Sequence, residues 1–138
     1  MTRRLTAVLL LLVSTGCSRK KTLTSEDLKS QLTSAISFAS EEEMFVDYIR
    51  AGRTTSNFAD QHAAYLDAEI QRSADELAKA VPQSGTESAL QRCRIQLNQL
   101  RAELWNVRTH REDRNALSAA KARVEEIRRD LEQAKSAL

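Results

Sequence analysis

THREDRN, residues 109–115, is the stretch on which the architecture of this chain turns. On its N-terminal side Leu90, Cys93, Leu97, Leu100, Leu104 and Val107 recur at spacings of 3, 4, 3, 4 and 3, the seam of an amphipathic helix. The stretch itself has no apolar side chain. Beyond it Leu117, Ala120, Val124, Ile127, Leu131, Ala134 and Leu138 resume the rhythm. At about 100° per residue, however, the second stripe lies roughly opposite the first. A straight helix cannot bury both in one core. Either the chain turns within the stretch, giving four helices of about 24 to 27 residues in an up-down-up-down bundle, or one helix of about 50 residues runs on and uses its far half elsewhere. Matched lengths favour the turn; the absence of Gly and Pro from the stretch favours the continuous helix. The expected fold is all-α, an antiparallel helical bundle of three to four helices, either four of about 25 residues or two plus one long C-terminal helix.

The rest of the chain is sparsely punctuated. Gly52, Pro82 and Gly85 fall between periodic stretches, and the abundance of Ala, Leu, Glu, Gln, Lys and Arg over aromatic and β-branched residues favours helix throughout, with no strand. Thr24-Ser25-Glu26-Asp27 reads as a helix start, a capping hydroxyl followed by first-turn acids. The helix predicted over 25–50 faces inward with Leu28, Leu32, Ala35, Ala39, Val46 and Ile49, and Gly52 ends it. A second, over 57–80, is expected to bury Ala59, Ala63, Leu66, Ile70, Leu77 and Phe58 before Pro82 stops it. Ser84-Gly85-Thr86-Glu87 reads as a second capping box, opening the helix that carries the Leu90–Val107 seam. Cys93 lies on that seam and is expected to act as a small buried apolar residue. Trp105 lies on a neighbouring face and is expected to fill the core beneath the second helix.

The N-terminal segment has a different character. Arg3 and Arg4 precede an apolar run from Leu5 to Val13, shorter than the roughly 20 residues a membrane-spanning helix needs. A basic start, a short apolar run and small residues are the layout of an export signal. Val13-Ser14-Thr15-Gly16-Cys17 resembles the lipobox of bacterial lipoproteins, in which signal peptidase II cuts before a cysteine whose sulfur has received a diacylglycerol. That resemblance implies a signal peptide over 1–16, a lipidated Cys17 with a polar, basic tether over 17–23, and a helical domain over 24–138. It also implies further N-acylation by a fatty acid such as palmitate, and hence an effectively permanent membrane anchor. Ser18 stands where an aspartate would signal retention in the inner membrane. The implied location is the bacterial cell envelope, on the outer membrane facing the periplasm where there are two membranes.

Loss of Arg3 and Arg4 leaves residues 17–138 formally neutral, with 19 basic and 19 acidic side chains. That balance and an exported location exclude nucleic acid as a partner. The charge is unevenly placed: residues 17–88 hold 8 Lys+Arg and 12 Asp+Glu, residues 89–138 hold 11 and 7. Helices packed side by side are expected to satisfy this complementarity within the chain; a basic surface for an acidic partner is the other reading. With Cys17 acylated, Cys93 is the one cysteine left and no intrachain disulfide can form.

Little raw material for catalysis remains. The chain has no phosphate-binding glycine loop, nucleophile elbow or Cys/His zinc set. The Glu-x-x-His pattern of di-iron bundles is also missing, since Ala59 stands three residues before His62 and Val107 three before His110. One polar group merits testing as a cation site: Glu42 and Glu43 on the first helix with His62 and Glu69 on the second, which a hairpin about Arg53 brings level. Ion pairing with arginines such as Arg101 is the plainer use of these carboxylates. The sequence thus points to a non-enzymatic, cofactor-free envelope lipoprotein with an interaction or structural role, whose partner is an envelope protein or a second copy. The alternative is a ligand- or metal-binding bundle.

Overall fold

The computed structural model of the chain describes residues 22–138. Within them run four helices, α1 (Ser25–Arg50), α2 (Ser56–Lys79), α3 (Glu87–Thr109) and α4 (Arg114–Ser136), and two short strands, β1 (Thr22–Leu23) and β2 (Val81–Pro82). The leader over 1–16, Cys17 and tether residues 18–21 lie outside the described residues.

The chain turns within THREDRN, and the single long C-terminal helix is overturned. Asp113 accounts for the break. Its carboxylate accepts hydrogen bonds from the Asn115 and Ala116 amides at 2.9 and 3.1 Å, so it occupies two of the amide groups that every helix start leaves unpaired. The Thr109 hydroxyl donates to the Trp105 carbonyl at 3.0 Å, and His110, in neither helical nor extended conformation, closes α3. Asp113 needs neither Gly nor Pro to start a helix.

The other boundaries have equally local causes. Thr24 and Asp27 form a reciprocal capping box at the start of α1. Gly52, at φ 63°, ends that helix: its amide donates to Ile49 and the next amide, of Arg53, to Tyr48, each at 3.0 Å. This left-handed closure suits glycine. The capping box expected at Ser84–Glu87 does not form. Thr86 lies in helical conformation and its hydroxyl donates to the Gln83 carbonyl at 2.7 Å, while the Glu87 carboxylate accepts from the Gly85 amide at 2.8 Å.

The helices alternate in direction around a single apolar core. α4 lies between α1 and α3, and α2 leans on α3; the consecutive pair α1 and α2 makes the loosest of the four lateral contacts. The predicted seams point inward, with Leu28, Leu32, Leu66, Ile70, Leu97, Leu100, Val124 and Leu131 wholly buried. Spacings of seven in the first two apolar patterns, between Ala39 and Val46 and between Ile70 and Leu77, are filled by Glu42 and Ser73, both buried.

Expected charge complementarity takes concrete form. Lys121 and Arg128 of α4 pair with Asp47 and Glu43 of α1 at 2.6 and 2.7 Å, and Arg101 and Arg111 of α3 and its turn pair with Asp67 and Asp60 of α2 at 2.8 and 3.0 Å. Half-exposed pairs contribute little stability each, and their weight falls on which helix faces which.

The expectation of no strand is corrected at one end of the bundle. Thr22 and Leu23 pair in parallel with Val81 and Pro82. Leu23 is only 7% exposed, and its carbonyl accepts from the Gln83 amide at 3.1 Å. Two-residue strands leave no periodicity to read. The consequence is positional: the last two residues assigned to the tether belong to the folded domain.

Candidate functional site

The chain enters the fold at a well-fastened end. Beside the β1–β2 pair, the Arg94 guanidinium of α3 donates from Nε to the Leu77 carbonyl at 2.9 Å and from Nη2 to the Ala80 carbonyl at 3.1 Å. It thereby adds a side-chain donor to carbonyls at the end of α2, of which that of Leu77 also accepts from the Ala80 amide at 3.2 Å. The Ser25 amide donates to Gln83 Oε1 at 3.2 Å. Leu23 thus sits in the core beside the start of α1 and the end of α2, with Arg94 of α3 bridging to the latter. Among the described residues no helix is long and apolar enough to cross a membrane.

Glu42, Glu43, His62 and Glu69 are not brought to one point. Glu43 receives Arg128 of α4 at 2.7 Å, and Glu69 receives Arg72 of its own helix at 3.0 Å. His62 faces Glu41, its Nε2 3.4 Å from the carboxylate. Its ring sits among Phe45, Phe58 and Tyr65, with centroids at 4.9, 5.7 and 6.4 Å, and is nearly parallel to Phe58. The reason is helical geometry: consecutive side chains diverge by about 100°. Glu41 thus reaches α2, Glu42 enters the core and Glu43 reaches α4. Among the described residues no three His, Cys, Asp or Glu side chains gather as metal ligands would. Arg101, expected near these carboxylates, pairs instead with Asp67.

Glu42 is the chemically unusual member. It is 0% exposed, and neither carboxylate oxygen has a hydrogen-bond partner. Burial, reinforced by the negative charge of Glu103 across on α3, holds its pKa well above the ordinary 4.5. Glu103 is committed to Arg123 at 2.6 Å and offers Glu42 no relief. Because the folded pKa is raised, the native state holds a proton that the unfolded chain has lost; stability is full below about pH 4.5 and declines as pH rises from there through the folded pKa. Glu42→Leu, close in volume, should remove that decline and raise stability at pH 8 by about 1–3 kcal/mol. Denaturant titrations of both proteins at pH 5 and pH 8 check this. Parallel pH dependence in the two would mean that Glu42 is not the titrating group.

Two aromatic expectations are corrected. Trp105 is 62% exposed and Phe58 56%. Trp105 follows Leu104 and so points about 100° away from that seam residue; Phe58 stands one position before buried Ala59 in the same relation. Cys93 is buried as its spacing predicts, and burial pushes its thiol up to about 12, which leaves it protonated and inert as a nucleophile near neutral pH. The sequence reading missed Phe45, buried against His62, and it missed the convergence of Arg50, Arg53 and Arg114 around a cleft with Met44 and Tyr48. The latter has no signal in local spacing, since Arg114 is far away along the chain.

Compared with protein families, with curated proteins and with solved structures, the chain matches none.

Proposed function

We propose that the chain is a bacterial envelope lipoprotein, held at the membrane by acylated Cys17, whose helical bundle is a non-catalytic interaction module. The observation that carries this reading is VSTGC at 13–17, set behind Arg3, Arg4 and a short apolar run. The fold is compatible with it in a specific way. Thr22 and Leu23 are built into the domain, so residues 18–21 are the whole span between Cys17 and the bundle. Fully extended, four residues reach about 14 Å. Arg19, Lys20 and Lys21 add attraction to anionic head groups, about 1 kcal/mol for each charge near the surface. The module works against the membrane, and its partner is another envelope protein within a bundle's length of the bilayer.

Intact-mass analysis of the protein purified from bacterial membranes tests the reading. The expected species lacks residues 1–16 and carries a diacylglyceryl group and an amide-linked fatty acid on Cys17. A mature chain that keeps a free Cys17 thiol would overturn the anchor.

A further inference from the structure

At the end of the bundle remote from Thr22, the C-terminal turn of α1 and the first residue of α4 enclose a cleft of about 520 Å³ lined by Met44, Asp47, Tyr48, Arg50, Arg53 and Arg114. Three guanidinium groups face one carboxylate. That carboxylate is already engaged, since Asp47 receives Lys121 at 2.6 Å and Arg50 at 3.4 Å. Among the described residues neither Arg53 nor Arg114 has an acidic partner within salt-bridge distance, unlike Arg101, Arg111, Arg123 and Arg128, which hold helices together. Neither arginine is tied up in the interhelical pairs, so both guanidinium groups in the cleft are left to an incoming group.

Arg114 is also placed against its own helix. It is the first residue of α4, where the aligned peptide dipoles leave a partial positive charge and a cation is disfavoured. Gathering Arg50 and Arg53 beside it compounds the repulsion, which an incoming anion would relieve. Guanidinium groups grip carboxylates through paired N–H donors. The remaining wall is apolar and adaptable: Met44 and Tyr48 are both about half exposed, and thioether and phenol side chains suit a protein contact. A lone inorganic anion would use the arginines and leave that wall bare.

From these observations we infer that this cleft docks an acidic segment of a partner protein, seating a carboxylate among Arg50, Arg53 and Arg114 and an apolar side chain between Met44 and Tyr48. The inference rests on the proposed interaction role and names its surface. In that arrangement α1, 26 residues long and so about 39 Å, stands between the anchor and the cleft. The site then faces away from the head groups of the protein's own membrane, which favours a protein over a lipid as occupant.

The test uses the full-length protein, taken from whichever cell fraction it occupies and kept in phosphatidylcholine vesicles or buffer accordingly. The probe is a fluorescein-labelled, end-capped hexapeptide of alternating glutamate and leucine, with a glutamine–leucine peptide as control. Saturable anisotropy change with the acidic peptide alone is expected, weakened about tenfold by Arg53→Glu with Arg114→Glu and unchanged by Tyr65→Ala. Arg114→Glu removes the dipole conflict, so its melting temperature should rise by about 2 °C, which keeps loss of binding separate from loss of fold. Equal binding of the control peptide, or no effect of charge reversal, overturns the inference. Arginine-dependent capture of phosphatidylglycerol vesicles without peptide binding also overturns it, assigning the cleft to head groups. Fractionation and intact mass are read on the same preparations. An unlipidated protein that binds the peptide refutes the anchor and leaves the cleft standing; a lipidated protein that does not bind refutes only the cleft.

Discussion

Cys17→Ser is expected to accumulate as a precursor that takes up no labelled fatty acid and retains residues 1–16. The chemistry allows little middle ground. Transfer of a diacylglycerol needs a sulfur nucleophile, and a serine hydroxyl is far less acidic and far less nucleophilic than a thiol. In the lipoproteins that VSTGC resembles, signal removal waits for that transfer, so one substitution should block both steps. The apolar run from Leu5 to Val13 would remain attached but is too short to span a bilayer. Cys93 provides the control. Its thiol is buried and pushed up to about 12, so Cys93→Ser should leave labelling at the level of the unaltered chain. Labelled palmitate followed by gel analysis reads both variants. Equal labelling of Cys17→Ser and the unaltered protein would place the lipid elsewhere or nowhere. The described core is drawn from Leu23 and the four helices, so the bundle is expected to fold in the variant as in the unaltered chain.

How far the sequence disclosed the fold depends on how each feature is encoded. Features repeated along a helix were legible: the apolar stripe of α3 was read residue by residue, and Thr24 and Gly52 marked the ends of α1. Features encoded by one residue were harder. The α3–α4 turn rests on Asp113, and a search for Gly and Pro passes over an aspartate whose role is only to accept two amide hydrogen bonds. Glu42 shows the opposite error, in which chemical type overruled position. A spacing of seven between Ala39 and Val46 already put residue 42 on the inward face, yet a glutamate invited a reading at the edge. Ser73 fills the corresponding space in α2, where its hydroxyl meets Gln31 at 3.3 Å.

Site features divide along the same line. The charge imbalance between the two halves of the chain foretold interhelical pairs, because complementary totals must meet somewhere in a compact bundle. Individual partners were not legible, since each depends on a rotation of about 100° per residue combined with the lateral placement of four helices. That is why Glu41 meets His62 while Glu43 meets Arg128. The β1–β2 pair and the arginine cleft are assembled from residues distant in sequence and leave no periodic trace. Both nonetheless bear on placement. The first ties Thr22 and Leu23 into the folded domain, and the second gathers Arg50, Arg53 and Arg114 at the opposite end of the bundle.

Deleting residues 116–138 should abolish cooperative unfolding altogether. α4 supplies Leu117, Ala120, Val124, Ile127, Leu131 and Ala134 to the core, and its neighbours on either side are α1 and α3. Burying each of the four larger side chains contributes about 1.5–3 kcal/mol, so their loss together is comparable with the whole of a domain's usual 5–15 kcal/mol. The deletion also strips Asp47, Glu43 and Glu103 of Lys121, Arg128 and Arg123, a smaller effect because these pairs are partly solvated. Leu131→Ala is the graded version, expected to cost about 2–5 kcal/mol at a site with no exposure. The same apolar stripe would suit a coiled coil between two chains, but here it is already covered by α1 and α3 of its own chain. Sedimentation and thermal melting separate the cases. An intrachain stripe predicts that truncation yields an unfolded or aggregated chain; a dimer seam predicts a folded product of half the mass. A truncated chain that melts at the original temperature would mean that α4 does not complete this core, and the four-helix arrangement would fall with it.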